Sequence, residues 1–287
     1  MEIKELLKKG RDLIKYNKYS SPNLEPIWVL SNLLNVDNSY IHTHLDMKID
    51  KVIEERFIFI MKERKKGYPL QYLLNEQEFM GLNFYVEEGV LIPRSETEIM
   101  VEYIIDYINN NYKEKNINIL DIGVGSGAIS LSIAKEFPNI RVIGTDIGYI
   151  PIKVANINKE NLRVKNVNFI QGDLFEALKS EDINKKFDII ISNPPYIKST
   201  NINTLQKEVK GFEPKLALDG GKDGLDFYRK ISKESKRYLN SRGMLIYEIG
   251  YDQGEDVNDI LVKEGYSNIA IIKDLQKHDR IILGLKS

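Results

Sequence analysis

The chain has 287 residues, of which 42% are hydrophobic and 29% are charged, and its formal net charge is −1. This length fits one large α/β domain with a smaller one, and the balanced charge argues against a basic field for nucleic acid. The absence of cysteine excludes disulfides, thiolate zinc sites and cysteine nucleophiles. No apolar run reaches the roughly 18 residues of a membrane span, and the start is unlike a secretory signal, so we expect a cytoplasmic protein.

Residues 1–74 predict a small helical domain. Apolar residues recur at helical spacing in three segments, 2–18, 22–34 and 50–66. Asp50 is a natural cap for the third segment. His42 and His44 have no third ligand nearby, and no metal site is predicted. We therefore expect this domain to recognise a partner or cover a site rather than to perform chemistry.

The next stretch, 75–93, predicts a β-hairpin linker, and residues 94–287 predict the main domain. A helix is expected directly after Arg94, because Ser95 has the position of an N-cap and Glu98 that of its capping-box partner. Arg94 either only precedes this helix or also borders a ligand.

A glycine-rich loop follows the first predicted strand of the main domain and precedes a helix. Its glycines permit a tight turn and the close approach of a ligand to the backbone. Asp146 ends the next strand, 19 positions beyond Gly127, where an acid accepts hydrogen bonds from ribose hydroxyls. The candidate cofactor-binding residues here are Asp121, Ile122, Gly123, Val124, Gly125, Gly127 and Asp146.

NAD is the rival cofactor for such a loop. However, the spacing is G-x-G-x-G rather than G-x-G-x-x-G, and Asp121 would repel a pyrophosphate. An acid suits the ammonium group of S-adenosylmethionine, which carries an amino acid, a sulfonium charge and an adenosine but no phosphate. After the third strand, Asp173 either accepts from the adenine amino group, with Leu174 and Phe175 against the ring, or caps the next helix.

The fourth strand, 187–191, is a short β-branched run that predicts burial on both faces. Asn193-Pro194-Pro195-Tyr196 ends it abruptly, because proline cannot continue the strand. Carbonyl and amide acceptors beside the flat Tyr196 ring suit a planar NH2 group, as in adenine, guanine or a glutamine side chain. The alternative is a strand-ending turn with a packing tyrosine. Since this turn and the cofactor loops all follow strands, they are expected to share one rim of the sheet.

With these motifs in this order, the chain resembles the class I S-adenosylmethionine-dependent methyltransferases, and more narrowly the release factor glutamine methyltransferase family (the HemK/PrmC type). The motifs that carry the resemblance are 91–98, 121–127, 192–197, 213–214, 224–226 and 248–250. We predict an α/β fold: a seven-stranded, mostly parallel Rossmann-like sheet whose last strand is antiparallel, with a small N-terminal helical bundle. The bundle is expected above the strand ends, where it helps to dock a protein substrate.

The resemblance implies methyl transfer from S-adenosylmethionine to the side-chain amide of the glutamine in the Gly-Gly-Gln motif of peptide chain release factors. The catalytic candidates are Asn193, Pro194, Pro195 and Tyr196. Further cofactor candidates are Asp173, Leu174 and Asn193, and the candidate substrate contacts are Arg94 and Glu248.

Two positions depart from the family pattern, and neither touches the core Asn-Pro-Pro-Tyr motif. Ser95 stands where the family usually has proline, and Gly148 where it tends to have serine. We expect a monomer without direct nucleic-acid contact. The alternatives are a glutamine methyltransferase acting on a ribosomal protein, an adenine or guanine amino-methyltransferase acting on nucleic acid, and a non-catalytic cofactor binder.

Overall fold

The computed structural model describes residues 1–112, 116–180 and 185–287. They form two compact units. The smaller unit comprises Met1–Glu76 and Gln206–Phe212, and the larger comprises Gln77–Leu205 and Glu213–Ser287. The predicted boundaries therefore differ in two places. The hairpin groups with the larger unit instead of forming a separate linker, and a short segment of the predicted main domain groups with the helical unit.

The smaller unit is helical, as predicted, and its helices are α1 Ile3–Ile14, α2 Glu25–Leu34, α3 Asn38–Thr43, α4 Lys51–Lys65, α5 Leu70–Leu74 and α10 Lys207–Phe212. Asp50 caps α4 as expected, since its side chain accepts a hydrogen bond from the Val52 amide at 2.8 Å. The buried Arg64 of α4 pairs with Glu25 and with Glu208, each at 2.7 Å. Because an unpaired buried charge is costly, the Arg64–Glu208 pair ties α10 to this unit.

The larger unit contains a two-stranded hairpin and a seven-stranded sheet. The strands are β1 Gln77–Phe79, β2 Leu82–Phe84, β3 Asn118–Ile122, β4 Arg141–Asp146, β5 Val167–Gln171, β6 Phe187–Ser192, β7 Leu239–Glu248, β8 Tyr266–Lys273 and β9 Asp279–Lys286. The larger sheet has the order β5-β4-β3-β6-β7-β9-β8, and β9 is antiparallel to both neighbours. The predicted mostly parallel sheet with an antiparallel last strand is confirmed.

Helices accompany this sheet, namely α6 Ser95–Asn111, α7 Ala128–Glu136, α8 Tyr149–Asn161, α9 Glu176–Ser180, α11 Asp226–Ser235 and α12 Gly254–Lys263. The central strands are buried on both faces. Ile189 and Ile191 of β6 belong to one apolar cluster, whereas Ile190 belongs to the other. This alternation explains why the strand reads as a continuous apolar run. None of the helices in the described ranges is long and apolar enough to cross a membrane.

Strand register places the loops of interest side by side. Ile122 at the end of β3 pairs with Thr145 of β4 and with Ser192 of β6, and Ser192 pairs with Tyr247 of β7. These strands are parallel, so the residues that follow them leave the sheet at the same edge. The shared rim predicted from the sequence is therefore present.

Candidate active site

The glycine loop turns sharply after β3. Gly123, Gly125 and Gly127 all have positive φ, between +55° and +81°. A Cβ built on Gly123 would meet no atom within 4 Å, which leaves open space against the backbone. At Gly127 a Cβ would crowd Leu131, Phe169 and Ala155 at 3.1–3.2 Å, so this glycine serves the packing of α7. The loop thus combines a close-packed end at Gly127 with open space at Gly123.

Asp121 is a buried acid with an unused oxygen. Its side chain is fully buried, and its Oδ2 accepts a hydrogen bond from the Ser130 hydroxyl at 2.6 Å. Within the described residues, its Oδ1 has no hydrogen-bond partner. Burial, with repulsion from Asp146, raises its pKa to about 6. A buried carboxylate with a free acceptor is suited to a cationic group, so this position fits the ammonium of an amino-acid cofactor.

Asp146 organises the same loop from the end of β4. Its Oδ2 accepts from the Gly125 amide at 3.0 Å, and its Oδ1 accepts from the Gly148 amide at 2.8 Å. Burial raises its pKa, and these two amide hydrogen bonds oppose that rise. Each carboxylate oxygen can accept a further hydrogen bond, so Asp146 both braces the loop and retains capacity for ribose hydroxyls.

The Asn-Pro-Pro-Tyr turn begins at the next rim position. Asn193 follows Ser192, whose hydroxyl donates to the Ile122 carbonyl at 2.7 Å and joins the turn to β3. The Asn193 Nδ2 lies 3.3 Å from Thr97 Oγ1, and the Thr97 hydroxyl donates to Glu248 Oε2 at 2.6 Å. Glu248 is only 2% exposed, so its part as a substrate contact stays a prediction while its bond to Thr97 is direct.

The carbonyl end of the turn is held by residues that sequence patterns did not single out. The Tyr196 carbonyl accepts from the Gln253 side-chain amide at 3.0 Å. The Tyr196 ring packs on the cluster that contains Tyr228, and burial raises the pKa of Tyr196 to about 12. A Cβ on Gly220 would lie 2.7 Å from the Pro195 carbonyl oxygen and 2.8 Å from the Tyr196 Cα. These contacts make the turn a closely supported element.

Gly220→Ala is therefore expected to lower kcat by about 10-fold, because the new methyl group must displace the Pro195–Tyr196 backbone from its place. Gly211→Ala is the matched control, since a Cβ there would meet nothing within 4 Å. Steady-state methyl transfer and calorimetric cofactor binding test this. Cofactor affinity should be unchanged in both variants, and equal kcat values for the two would contradict the supporting role of Gly220.

Three other sequence predictions have mixed outcomes. Asp173 is exposed and Leu174 is partly buried with φ +46°, so their cofactor contacts stay predictions. Phe175 is fully buried and stacks on Tyr238 with ring centroids 4.9 Å apart, so it packs in the core and does not face a ligand.

The start of α6 also differs from the prediction. Arg94 occupies the cap position and no side chain caps the helix. Glu98 accepts instead from the Met80 amide of the hairpin at 2.5 Å, so the predicted capping box is wrong. Arg94 forms an ion pair with the buried Glu213, and its contact with a substrate stays a prediction.

Comparison with known families agrees with this geometry. A family model described as a methyltransferase domain matches residues 113–267, and one described as the PrmC N-terminal domain matches residues 5–74. The fold and the rim site thus define a methyltransferase. The release factor glutamine methyltransferase of Clostridium acetobutylicum is 40% identical, covering 100% of this chain and 99% of that protein. Its counterpart in Clostridium botulinum is 40% identical over all of both chains. The chain belongs to the release factor glutamine methyltransferase family, which confirms the predicted resemblance.

Solved structures share the fold at much lower identity. A methyltransferase from Pyrococcus furiosus has a TM-score of 0.53 at 19% identity, over 83% of this chain and 100% of that chain. A 16S rRNA methyltransferase of T. thermophilus, in complex with AdoMet and guanosine, has a TM-score of 0.52 at 16% identity, over 74% of this chain and 50% of that chain.

Proposed function

We propose that this protein transfers a methyl group from S-adenosylmethionine to the side-chain amide nitrogen of the glutamine in the Gly-Gly-Gln motif of peptide chain release factors. The observation that carries the proposal is the register of β3 and β6. It sets the glycine loop with its buried Asp121 directly beside the Asn193 turn, so that cofactor and acceptor groups meet at one edge.

The cofactor, when bound, supplies a methyl group activated by a sulfonium charge. Asp121 would hold its ammonium group through the free Oδ1, and Asp146 would accept from its ribose hydroxyls. The open side of Gly123 gives the backbone room for close approach. Asp173 and Leu174 are proposed at the adenine end, where the strand register places the end of β5 beside β4.

The Asn-Pro-Pro-Tyr turn would hold the acceptor. An amide nitrogen is a poor nucleophile, because its lone pair is delocalised into the carbonyl. Acceptance of both N–H bonds by Asn193 Oδ1 and the Pro194 carbonyl would fix the nitrogen facing the methyl group, and alignment then supplies much of the catalysis. These acceptors stabilise the positive charge that develops on nitrogen. The excess proton leaves after transfer, so no strongly basic residue is required.

The remaining parts of the chain suggest how the substrate is recognised. The helical unit contains no cluster of catalytic side chains among its described residues, which supports a role in docking the release factor. Tyr196 would cover the amide plane and exclude water, since its ring is already packed on one side. We further propose a cytoplasmic monomer that makes no direct contact with nucleic acid.

Methyl transfer from radiolabelled S-adenosylmethionine to a purified release factor tests the proposal. The control substrate is the same factor with the Gly-Gly-Gln glutamine replaced by alanine. Label is expected on the native factor alone. Label on both would place the methyl group on another residue. Label on neither, with cofactor binding intact, would contradict the proposal and direct the assay to ribosomal proteins and then to nucleic acid.

A further inference from the structure

A chain of hydrogen bonds runs from the half-buried Asn193 side chain to the buried end of β7. It begins at the Asn193 side-chain amide, passes through the Thr97 hydroxyl at 3.3 Å and ends on the Glu248 carboxylate at 2.6 Å. Thr97 is 5% exposed and Glu248 is 2% exposed, so the bond between them is shielded from water, whereas Asn193 is half-buried at the other end. Of the three residues joined by these hydrogen bonds, Asn193 alone belongs to the proposed acceptor-binding turn.

The chemistry of these three groups gives the chain a direction. An ionised carboxylate can only accept, so the single hydroxyl proton of Thr97 goes to Glu248. The Thr97 oxygen can then only accept from Asn193, which requires the NH2 end of the amide to face Thr97. A hydrogen bond between Asn193 and Glu248 also favours the ionised carboxylate and lowers the Glu248 pKa. The Thr97 oxygen and the Glu248 carboxylate therefore both lie on the NH2 side of the Asn193 amide, and the Asn193 Oδ1 faces away from them.

We propose that Thr97 and Glu248 are positioning residues that fix the Asn193 amide with its Oδ1 turned toward the nitrogen to be methylated. The inference rests on the proposed function and deepens it. With the opposite orientation, Asn193 would present N–H donors to the substrate NH2 group, and two donors repel each other. The orientation of one amide thus decides whether the turn accepts or rejects its substrate.

Protonation of Glu248 would remove the fixed direction of donation from Asn193 through Thr97 to Glu248. Burial raises the Glu248 pKa to about 7, while Thr97, Arg280 and Asn193 act to lower it and Glu96 acts to raise it. The other groups that face it are two tyrosines. Burial raises the pKa of Tyr196 to about 12 and that of Tyr228 well above 10, so neither titrates near neutral pH.

A protonated Glu248 carries a donor of its own. It can donate to the Thr97 oxygen, Thr97 can then donate to Asn193 Oδ1, and the whole chain reverses. The ionised form is present above a pH of about 7 and is lost as the pH falls through that value. We therefore expect kcat to fall on the acid side of about pH 7 in the wild type.

Thr97→Val and Thr97→Ser provide the matched pair that tests the role of the hydroxyl. Thr97→Val has the shape of threonine without the hydroxyl, and kcat is expected to fall by about 10-fold, the equivalent of one hydrogen bond. Thr97→Ser restores the hydroxyl and should restore kcat. The KM for release factor and the calorimetric cofactor affinity should stay within about 2-fold of wild type, because neither side chain contacts a ligand. Equal kcat values for the two variants would overturn the proposal.

The pH profile tests the carboxylate separately. At saturating cofactor, kcat of the wild type should fall about 10-fold per pH unit below the midpoint near 7. Glu248→Gln should show a lower kcat without that limb, because a glutamine amide serves either direction of the chain. Asp121 also titrates, with a pKa raised to about 6, so cofactor affinity is measured at each pH to separate the two groups. A limb that persists in Glu248→Gln would contradict the role of Glu248.

A measurement independent of activity distinguishes failure of this inference from failure of the proposed function. In 15N-labelled protein, the Asn193 side-chain amide signals should shift with a midpoint near pH 7, and this shift should be absent in Glu248→Gln. A wild type that methylates no release factor but shows the shift overturns only the function. An enzyme that is active but shows no shift overturns only the inference.

Discussion

Replacement of Asn193 by alanine is expected to lower kcat by about 10²–10³-fold, the cost typical of removing one preorganised group that stabilises a transition state. Cofactor affinity should fall by no more than about threefold, because Asp121, Asp146 and the glycine loop provide the remaining contacts. The physical reason is that alanine removes the acceptor facing the substrate amide, whereas the bond from the Thr97 hydroxyl to the Glu248 carboxylate stays in place without it.

Asn156→Ala is the matched control for this experiment. Asn156 is an exposed asparagine of α8 in the same unit, and its amide donates to the Ile152 carbonyl of its own helix. Its kcat should equal that of the wild type. Rates are measured at saturating cofactor, with thermal unfolding of each variant as a check of folding. An Asn193→Ala enzyme that keeps most of its kcat would show that positioning by this side chain is not the source of catalysis.

Asp121→Asn is expected to weaken S-adenosylmethionine binding by about 10- to 100-fold, which is the typical contribution of a hydrogen bond between charged groups. Ser130 donates to Oδ2, which keeps an oxygen at that position, so the new NH2 group takes the place of the free Oδ1. A donor would then face the ammonium group where the wild type offers an acceptor. Isothermal titration calorimetry measures the loss directly, and Asp259→Asn, at an exposed position of α12, serves as the control.

The same variant has a predictable effect on stability. The folded protein raises the Asp121 pKa from 3.8 to about 6, so it holds this proton more tightly than the unfolded chain does. The free energy of unfolding contributed by this group is therefore fully present below about pH 4 and declines as the pH rises to about 6. Without cofactor, the stability difference between wild type and Asp121→Asn should decline across that window in urea unfolding. A stability difference that stays constant across this pH window would indicate that folding does not raise the Asp121 pKa.

Local signals were sufficient to predict the strands and loops on the candidate cofactor side of the rim. The short β-branched strands, the G-x-G-x-G spacing and the acid that ends β4 each depend on residues near in sequence. A parallel sheet then brings the carboxyl ends of such strands together by its geometry alone. The Pro-Pro pair was equally informative, because proline can end a buried strand but cannot continue it.

The residues that support the Asn-Pro-Pro-Tyr turn could not be predicted in the same way. Thr97 lies 96 positions before Asn193, and Gln253 lies 57 positions after Tyr196, so only the fold brings them together. Thr97 in particular stands in a helix start, where threonine is common for reasons of capping alone. The sequence around Arg94 left open whether this segment only starts a helix or also borders a ligand, and it gave no sign that Thr97 bonds to Glu248.

Aromatic and charged residues near the site were also ambiguous in sequence. Phe175 follows Asp173 and Leu174 closely enough to suggest contact with an adenine ring, yet it is buried in the core and stacks on Tyr238. Residues 206–212 fall within the stretch 94–287 that the sequence predicts as the main domain. The pairing of Glu208 with the buried Arg64 depends on a charge more than a hundred positions away, which no local pattern records.

In the proposed function, the turn beginning at Asn193 presents the side-chain amide of a release factor glutamine to the methyl group. Fragmentation mass spectrometry of the Gly-Gly-Gln peptide, isolated after reaction with wild type and with Asn193→Ala, tests this most directly. A single added methyl group on the side-chain nitrogen of that glutamine, abundant with the wild type and nearly absent with the variant, is the predicted result. A methyl group on any other atom, or equal methylation by the two enzymes, would contradict the claim.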